Sequence, residues 1–279
     1  MPLSKMTTLM VRKSKNPTEN KMINVENSTK AEVNEKIAAM REGGKILGNL
    51  LKDLKNYVKP GMTGKQIDAW VRKQIVKRGA SVAYDMLDED FPGAICISVN
   101  DELVHGAPKD EPLEPGDKVS FDLDIYYKGY FTDSAFTMLV GGEGSPAVKK
   151  MIEVTESSMW EGIEQVKPGA TIGTIGAAVE KVLRAGHLGV IENYVGHGIG
   201  KKMHEAPEVP NYGKKGHGYK LKEGDTICIE PMSCLGKPAN YCDKDDNWTV
   251  KMKDGSTGCH CEHTVLVTKN GYEILTLPD

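Results

Sequence analysis

From residue 31 onward the apolar positions recur at helical spacing. Ile37, Met40, Leu47, Leu50, Leu51, Leu54 and Val58 lie along one stripe of a 3.6-residue repeat. Pro60-Gly61 ends that helix. Thr63 with Gln66 three residues later predicts a capping box for a second helix, whose buried side carries Ile67, Trp70, Val71 and Ile75. The period then shifts towards two, predicting strands over Ala94–Val99, Val119–Tyr126 and Tyr130–Val140. Ser145-Pro146 predicts the cap and first-turn proline of a third helix, with Val148, Met151, Ile152 and Thr155 on one face. Residues 1–30 carry no sustained period. They read as a basic extension, with Lys5, Arg12, Lys13, Lys15, Lys21 and Lys30 against Glu19 and Glu26. Such a tail could dock transiently on the ribosome; a solvated extension is the simpler account.

The pattern repeats. Val58-Lys59-Pro60-Gly61 returns 108 positions later as Val166-Lys167-Pro168-Gly169. Leu113-Glu114-Pro115-Gly116-Asp117 returns at the same offset as Leu221-Lys222-Glu223-Gly224-Asp225. One offset found twice predicts two similar α+β halves, about 31–144 and 145–279, that share one sheet. The offset also aligns Asp122 with Glu230, so a pseudo-two-fold axis would bring the two carboxylates together.

Composition removes several alternatives. The chain has 279 residues, 39% hydrophobic and 27% charged, an ordinary globular balance. A net charge of −3 gives no bulk attraction to nucleic acid or anionic membranes. There is no apolar run long enough to span a bilayer and no apolar stretch of a secretory signal near the start. Six irregularly spaced cysteines suggest reduced thiols and a cytoplasmic location rather than a disulfide framework. Cys234, Cys242, Cys259 and Cys261 lack the paired spacing of a structural zinc site. Gly141–Gly144 is followed by no Gly-Lys-Ser/Thr, and Gly216-His217-Gly218 reads as a loop.

Carboxylates then stand out in apolar strands. Phe121, Leu123 and Ile125 point to one side of their strand; Asp122 and Asp124 point to the other. A tight turn near 127–129 folds Asp133 back across from either Asp122 or Asp124, according to its register. Like charges facing each other across a sheet are destabilising, and a divalent cation would neutralise them. Glu230 closes the apolar run Ile227-Cys228-Ile229, and Glu262 opens another, with no evident buried cationic partner for either. His197 sits between glycines in Gly196-His197-Gly198, a sign of close backbone approach. Val104-His105-Gly106-Ala107-Pro108 is echoed by Met203-His204-Glu205-Ala206-Pro207. Four carboxylates with one imidazole suit Mn(II), Fe(II), Co(II) or Zn(II). Two such ions ~3.5–4 Å apart would hold the carboxylates together, generate hydroxide and polarise a carbonyl, so hydrolysis is the natural reaction.

Five stretches in this order resemble the type I methionine aminopeptidases of the pita-bread fold. They are Cys96 through His105-Gly106; Phe121-Asp122-Leu123-Asp124 through Asp133; Gly196-His197-Gly198 through His204-Glu205-Ala206-Pro207; Ile229-Glu230-Pro231-Met232; and Glu262-His263-Thr264. The resemblance covers residues 31–279 and leaves out the extension. It implies a pita-bread fold, two pseudo-symmetric α+β halves around a central antiparallel sheet with helices outside. It implies removal of the initiator methionine from nascent polypeptides, two divalent ions (Co, Mn, Fe or Zn) and a bridging hydroxide as nucleophile. The implied metal ligands are Asp122, Asp133, His197, Glu230 and Glu262, with Asp124 an orienting group. His105 would contact the scissile amide, His204 the developing oxyanion, and Glu230 would relay the proton. Phe91, Cys96, Met203 and Trp248 correspond to the methionine pocket, a soft and aromatic lining suited to a thioether. Asp88 stands where that family has an aromatic, and Met203 where Phe is common; both bear on selectivity. A monomer with no membrane and no specific nucleic-acid partner is expected. A proline-directed peptidase of the same fold, or an inactive binding module of that fold, are the competing readings.

Overall fold

The computed structural model describes residues 29–87 and 90–279. The extension, apart from its last two residues, lies outside them, as does Asp88. Helix α1 (Lys30–Tyr57) starts at Thr29, whose hydroxyl accepts from the Glu32 amide while the Glu32 carboxylate accepts from the Thr29 amide. Helix α2 (Gly64–Lys77) has the predicted capping box, with Thr63 and Gln66 exchanging bonds of 3.0 and 3.2 Å. Strands β1 (Ser81–Val82), β2 (Cys96–Val99) and β3 (Glu102–Val104) follow, then the long pair β4 (Lys118–Tyr127) and β5 (Tyr130–Leu139). Helix α3 (Pro146–Ile163) is capped by Ser145, and α4 (Ile172–Ala185) comes next. The rest of the chain is short strands: β6 (Gly189–Val190), β7 (Gly196–Gly198), β8 (Glu205–Val209), β9 (Thr226–Ile229) and β10 (Met232–Cys234). After these come β11 (Asn240–Cys242), β12 (Val250–Met252), β13 (Gly258–His260), β14 (Glu262–Thr268) and β15 (Gly271–Ile274).

The 108-residue offset is a property of the structure. Added to the bounds of α2 it gives those of α4, and added to β1 it gives β6. The Gly61 amide donates to the Leu113 carbonyl (2.7 Å), and the Gly169 amide to that of Leu221 (2.8 Å). Thr63 bridges Pro112, and Thr171 bridges Lys220. In both Gly-Asp turns the aspartate accepts from the amide three residues earlier, at 2.8 Å.

Most strands join one nine-stranded sheet, in the order β1-β4-β5-β14-β9-β7-β8, with β2 on β4 and β15 on β14. The recorded pairings within it are antiparallel. The halves meet where β5 pairs β14, setting Ala135 opposite Glu262 and Ser134 opposite His263. The Ser134 hydroxyl donates to the Glu262 carbonyl (2.8 Å), and that of Thr264 to the Asp133 carbonyl (2.7 Å). Each half has its own apolar core between helices and sheet. Leu50, Ile67 and Ile75 meet Phe121, Leu123 and Ile125 in one; Ile163, Ile175 and Leu183 meet Ile227, Val265 and Val267 in the other. Each such fully buried side chain contributes about 1.5–3 kcal/mol of burial. The intervening residues of the same strands are turned away from these cores by the period of two. Those residues are Asp122, Asp124, Cys228, Glu262 and Thr264, with Glu230 directly after β9.

Candidate metal centre

The hairpin decides the register left open above. Tyr127 pairs with Tyr130 around Lys128-Gly129, both with positive φ (48° and 92°), the two-residue turn suited to twisted strands. Asp124 is therefore directly opposite Asp133, and Asp122 opposite Ala135. All three aspartates nevertheless bring a carboxylate oxygen within 4.8 Å of one another.

His197 enters from β7. A Cβ on Gly196 would collide with the Cys228 carbonyl, and one on Gly198 with that of Ala206, so the flanking glycines let this strand fit between β9 and β8. The His197 Nδ1–H donates to the Gly198 carbonyl at 2.9 Å, leaving Nε2 as a bare acceptor. That Nε2 lies 3.4 Å from Glu230 Oε1 and 3.8 Å from Asp133 Oδ2. Asp133, His197, Cys228 and Glu262 form a second group of donor atoms within 4.8 Å of one another. Four of the five residues expected as ligands thus stand on strands of one sheet, and Glu230 directly follows β9 of that sheet.

The electrostatics are those of a site built for cations. Burial first, and then mutual repulsion, holds the carboxyls of Asp122, Asp133 and Glu262 well above the usual carboxylate range; burial does the same for Glu230. Asp122 Oδ1, Asp133 Oδ1 and Glu262 Oε1 are buried without a hydrogen-bond partner. Burial also lowers the pKa of His197 well below the ordinary imidazole value, so its ring is a neutral donor rather than a counter-charge. Four buried carboxylates beside neutral imidazoles need external positive charge, and divalent ions fit this oxygen-rich set with its nitrogen donors.

The auxiliary histidines border the centre. The His204 ring centroid is 4.4 Å from that of His197, and burial among protein atoms lowers its pKa to about 4. His105 adopts φ 57° beside the ring of Tyr194, and burial followed by the nearby His204 and His260 brings it to about 3. Phe91, Cys96 and Trp248 lie near one another: Phe91 meets Trp248 edge-on at 5.1 Å and Tyr84 at 4.4 Å, while the Tyr84 hydroxyl is 3.3 Å from Cys96 Sγ. Met203 belongs to a neighbouring apolar cluster that Tyr84 and Leu87 also touch. It lines a cavity of about 300 Å³ with His204, Phe131, Tyr126, Lys201 and Lys202.

Three residues escaped the reading of the sequence. Cys228 and His260 each precede a glutamate by two positions, which on extended backbone means the same face; that signal was present. Tyr84 joins the pocket from a 3₁₀ turn, Tyr84–Met86, which no periodicity announces. Imidazoles of His197 and His260 face Glu230 and Glu262, but burial lowers the pKa of both rings, so they do not act as buried cations there. The buried lysine of this region, Lys118, serves elsewhere: its Nζ donates to the carbonyls of Ser98 (3.0 Å) and Glu102 (2.9 Å).

Residues 38–269 match the model of metallopeptidase family M24. This chain belongs to that family. It is 39% identical to methionine aminopeptidase 1 of Bacillus subtilis over 241 residues, 86% of this chain and 96% of that one. The crystal structure of methionine aminopeptidase from Rickettsia prowazekii superposes with a TM-score of 0.84 at 36% identity, covering 88% of this chain and 97% of that one. The fold is shared more widely: a prolidase from Pyrococcus furiosus superposes at 0.70 with 24% identity, and this chain spans 65% of its length. The pita-bread architecture follows from these likenesses and from the two-fold repeat around the sheet, and metal dependence from the family. Among the described residues no helix is long and apolar enough to cross a membrane, and all six cysteines are free thiols.

Proposed function

We propose that this M24 metallopeptidase is a methionine aminopeptidase that removes the N-terminal methionine of new polypeptides. The observation that carries the reading is the cation-deficient carboxylate cluster beside the aromatic and sulfur side chains of Phe91, Trp248, Tyr84 and Cys96; the relatives of nearly equal length support it. Asp122, Asp133, His197, Glu230 and Glu262 would hold two divalent ions. Ions held there would supply Lewis acidity, making water a better nucleophile near neutral pH and polarising the peptide carbonyl.

The chain's own residues do the rest. Phe91, Cys96, Trp248 and Met203, with Tyr84, receive the methionine side chain and exclude water from it. His105 holds the scissile amide. His204, kept neutral by its surroundings, donates to the carbonyl oxygen as negative charge develops there. Glu230, its carboxyl made basic by burial, takes a proton and delivers it to the leaving amine.

Steady-state hydrolysis tests the reading. Metal-free full-length protein is given Mn(II), Co(II), Fe(II) or Zn(II) separately and offered Met-Ala-Ser and Xaa-Pro peptides. Metal-dependent release of methionine is expected. Cleavage only before proline would replace this reading with a proline-directed one, and no turnover with any ion would leave a binding module.

A further inference from the structure

One buried group of the centre has no part in the scheme above. His260 ends β13, is 2% exposed, and neither ring nitrogen has a hydrogen-bond partner. A neutral imidazole offers one donor and one acceptor, and burying either unpaired is costly. The ring is aimed at the carboxylates: Nε2 lies 3.6 Å from Glu230 Oε2 and 3.8 Å from Glu262 Oε2. Both separations are too long for a hydrogen bond. They match the approach of His197, whose Nε2 stands 3.4 and 3.8 Å from its two carboxylate oxygens. Donors bound to one ion at ~2.0–2.2 Å stand roughly 3.0–3.5 Å from each other, close to the spacing both rings already have. Glu230 therefore has one imidazole at each of its oxygens, His197 at Oε1 and His260 at Oε2.

We propose that His260 is a second imidazole ligand of the metal centre, binding through Nε2 beside Glu230 and Glu262. Nδ1 keeps the ring proton, so ligation releases none. The inference rests on reading the cluster as a metal centre, and it has a chemical consequence. A second nitrogen donor moves the site's preference towards borderline ions such as Zn(II) and Co(II), and away from the oxygen-loving Mn(II).

Crystals of the full chain loaded with Zn(II), with ions located by anomalous scattering, decide the matter. His260 Nε2 is expected at bonding distance, about 2.0–2.1 Å, from one ion. Ions held by the carboxylates with Nε2 beyond about 3 Å from each would overturn the inference and leave the metal-centre reading intact. Absence of bound ions would overturn both. In solution, His260→Gln, checked for folding by circular dichroism, is titrated calorimetrically with Zn(II) and with Mn(II). Zn(II) affinity should fall about tenfold or more and Mn(II) affinity less. An equal loss for both ions, or none, would also count against ligation, because a residue that merely steadied the glutamates would not change their ratio.

Discussion

The two halves of the molecule use the same supports and different chemistry. The Pro-Gly turn, the helix after it and the Gly-Asp turn recur with the same hydrogen bonds 108 residues apart. The site-bearing strands do not recur so closely. In the first half β4 and β5 are ten residues each, joined by two residues, and deliver aspartates from both arms of one hairpin. In the second half the corresponding pair, β9 and β14, is joined by residues 230–261, which carry Trp248 and His260 besides Glu230. A rigid repeated frame leaves that connection free to vary, and function has gathered there. The first half supplies short carboxylates from a fixed hairpin, with His105, Phe91 and Cys96; the second supplies longer carboxylates, the other imidazoles and Trp248.

The largest effect that would break this contrast belongs to Glu230. If the second half supplies the proton relay, Glu230→Gln should lower kcat by about 10²–10⁴ and weaken metal binding; full turnover with normal metal content would remove it from both roles. His204→Ala should lower kcat by about 10²–10³ while retaining the metal content of the wild type, as measured by atomic absorption. Metal loss in that variant would make His204 a ligand. The shared frame makes a smaller, paired prediction. Ile67 and Ile175 are equivalent, and both are completely buried. Ile67→Ala and Ile175→Ala should each cost about 2–5 kcal/mol in urea unfolding, and the two should agree within about 1 kcal/mol. A large inequality would mean that the halves are equivalent in backbone but not in packing.

Much of this was legible before any coordinates. The Thr63–Gln66 capping box, the Pro-Gly turns and the Gly-Asp repeat could be read because such local structures demand particular residues. Carboxylates in apolar strands were visible because burying them is costly. What faces what across the sheet was not. Period two says that Asp122 and Asp124 share a face, but only the Lys128-Gly129 turn sets which of them Asp133 meets. His260 was hidden between Cys259 and Cys261, where the run reads as an ordinary apolar strand, and Tyr84 reaches Phe91 through a turn with no pattern of its own.

The seam between β5 and β14 has a consequence for how the molecule comes into being. Ser134 and Glu262 are bonded across 128 positions of chain. Contacts so distant in sequence require closure of a large loop before they return any stabilisation, and chains dominated by them fold slowly. The centre is therefore complete only when nearly the whole chain has been made and the middle of the chain has met its C-terminal strands. Asp122 and Asp133 can find each other early, within a hairpin, but Glu262 joins them last. Acquisition of metal should track this final closure, so that ion uptake during refolding reports the last step rather than the first.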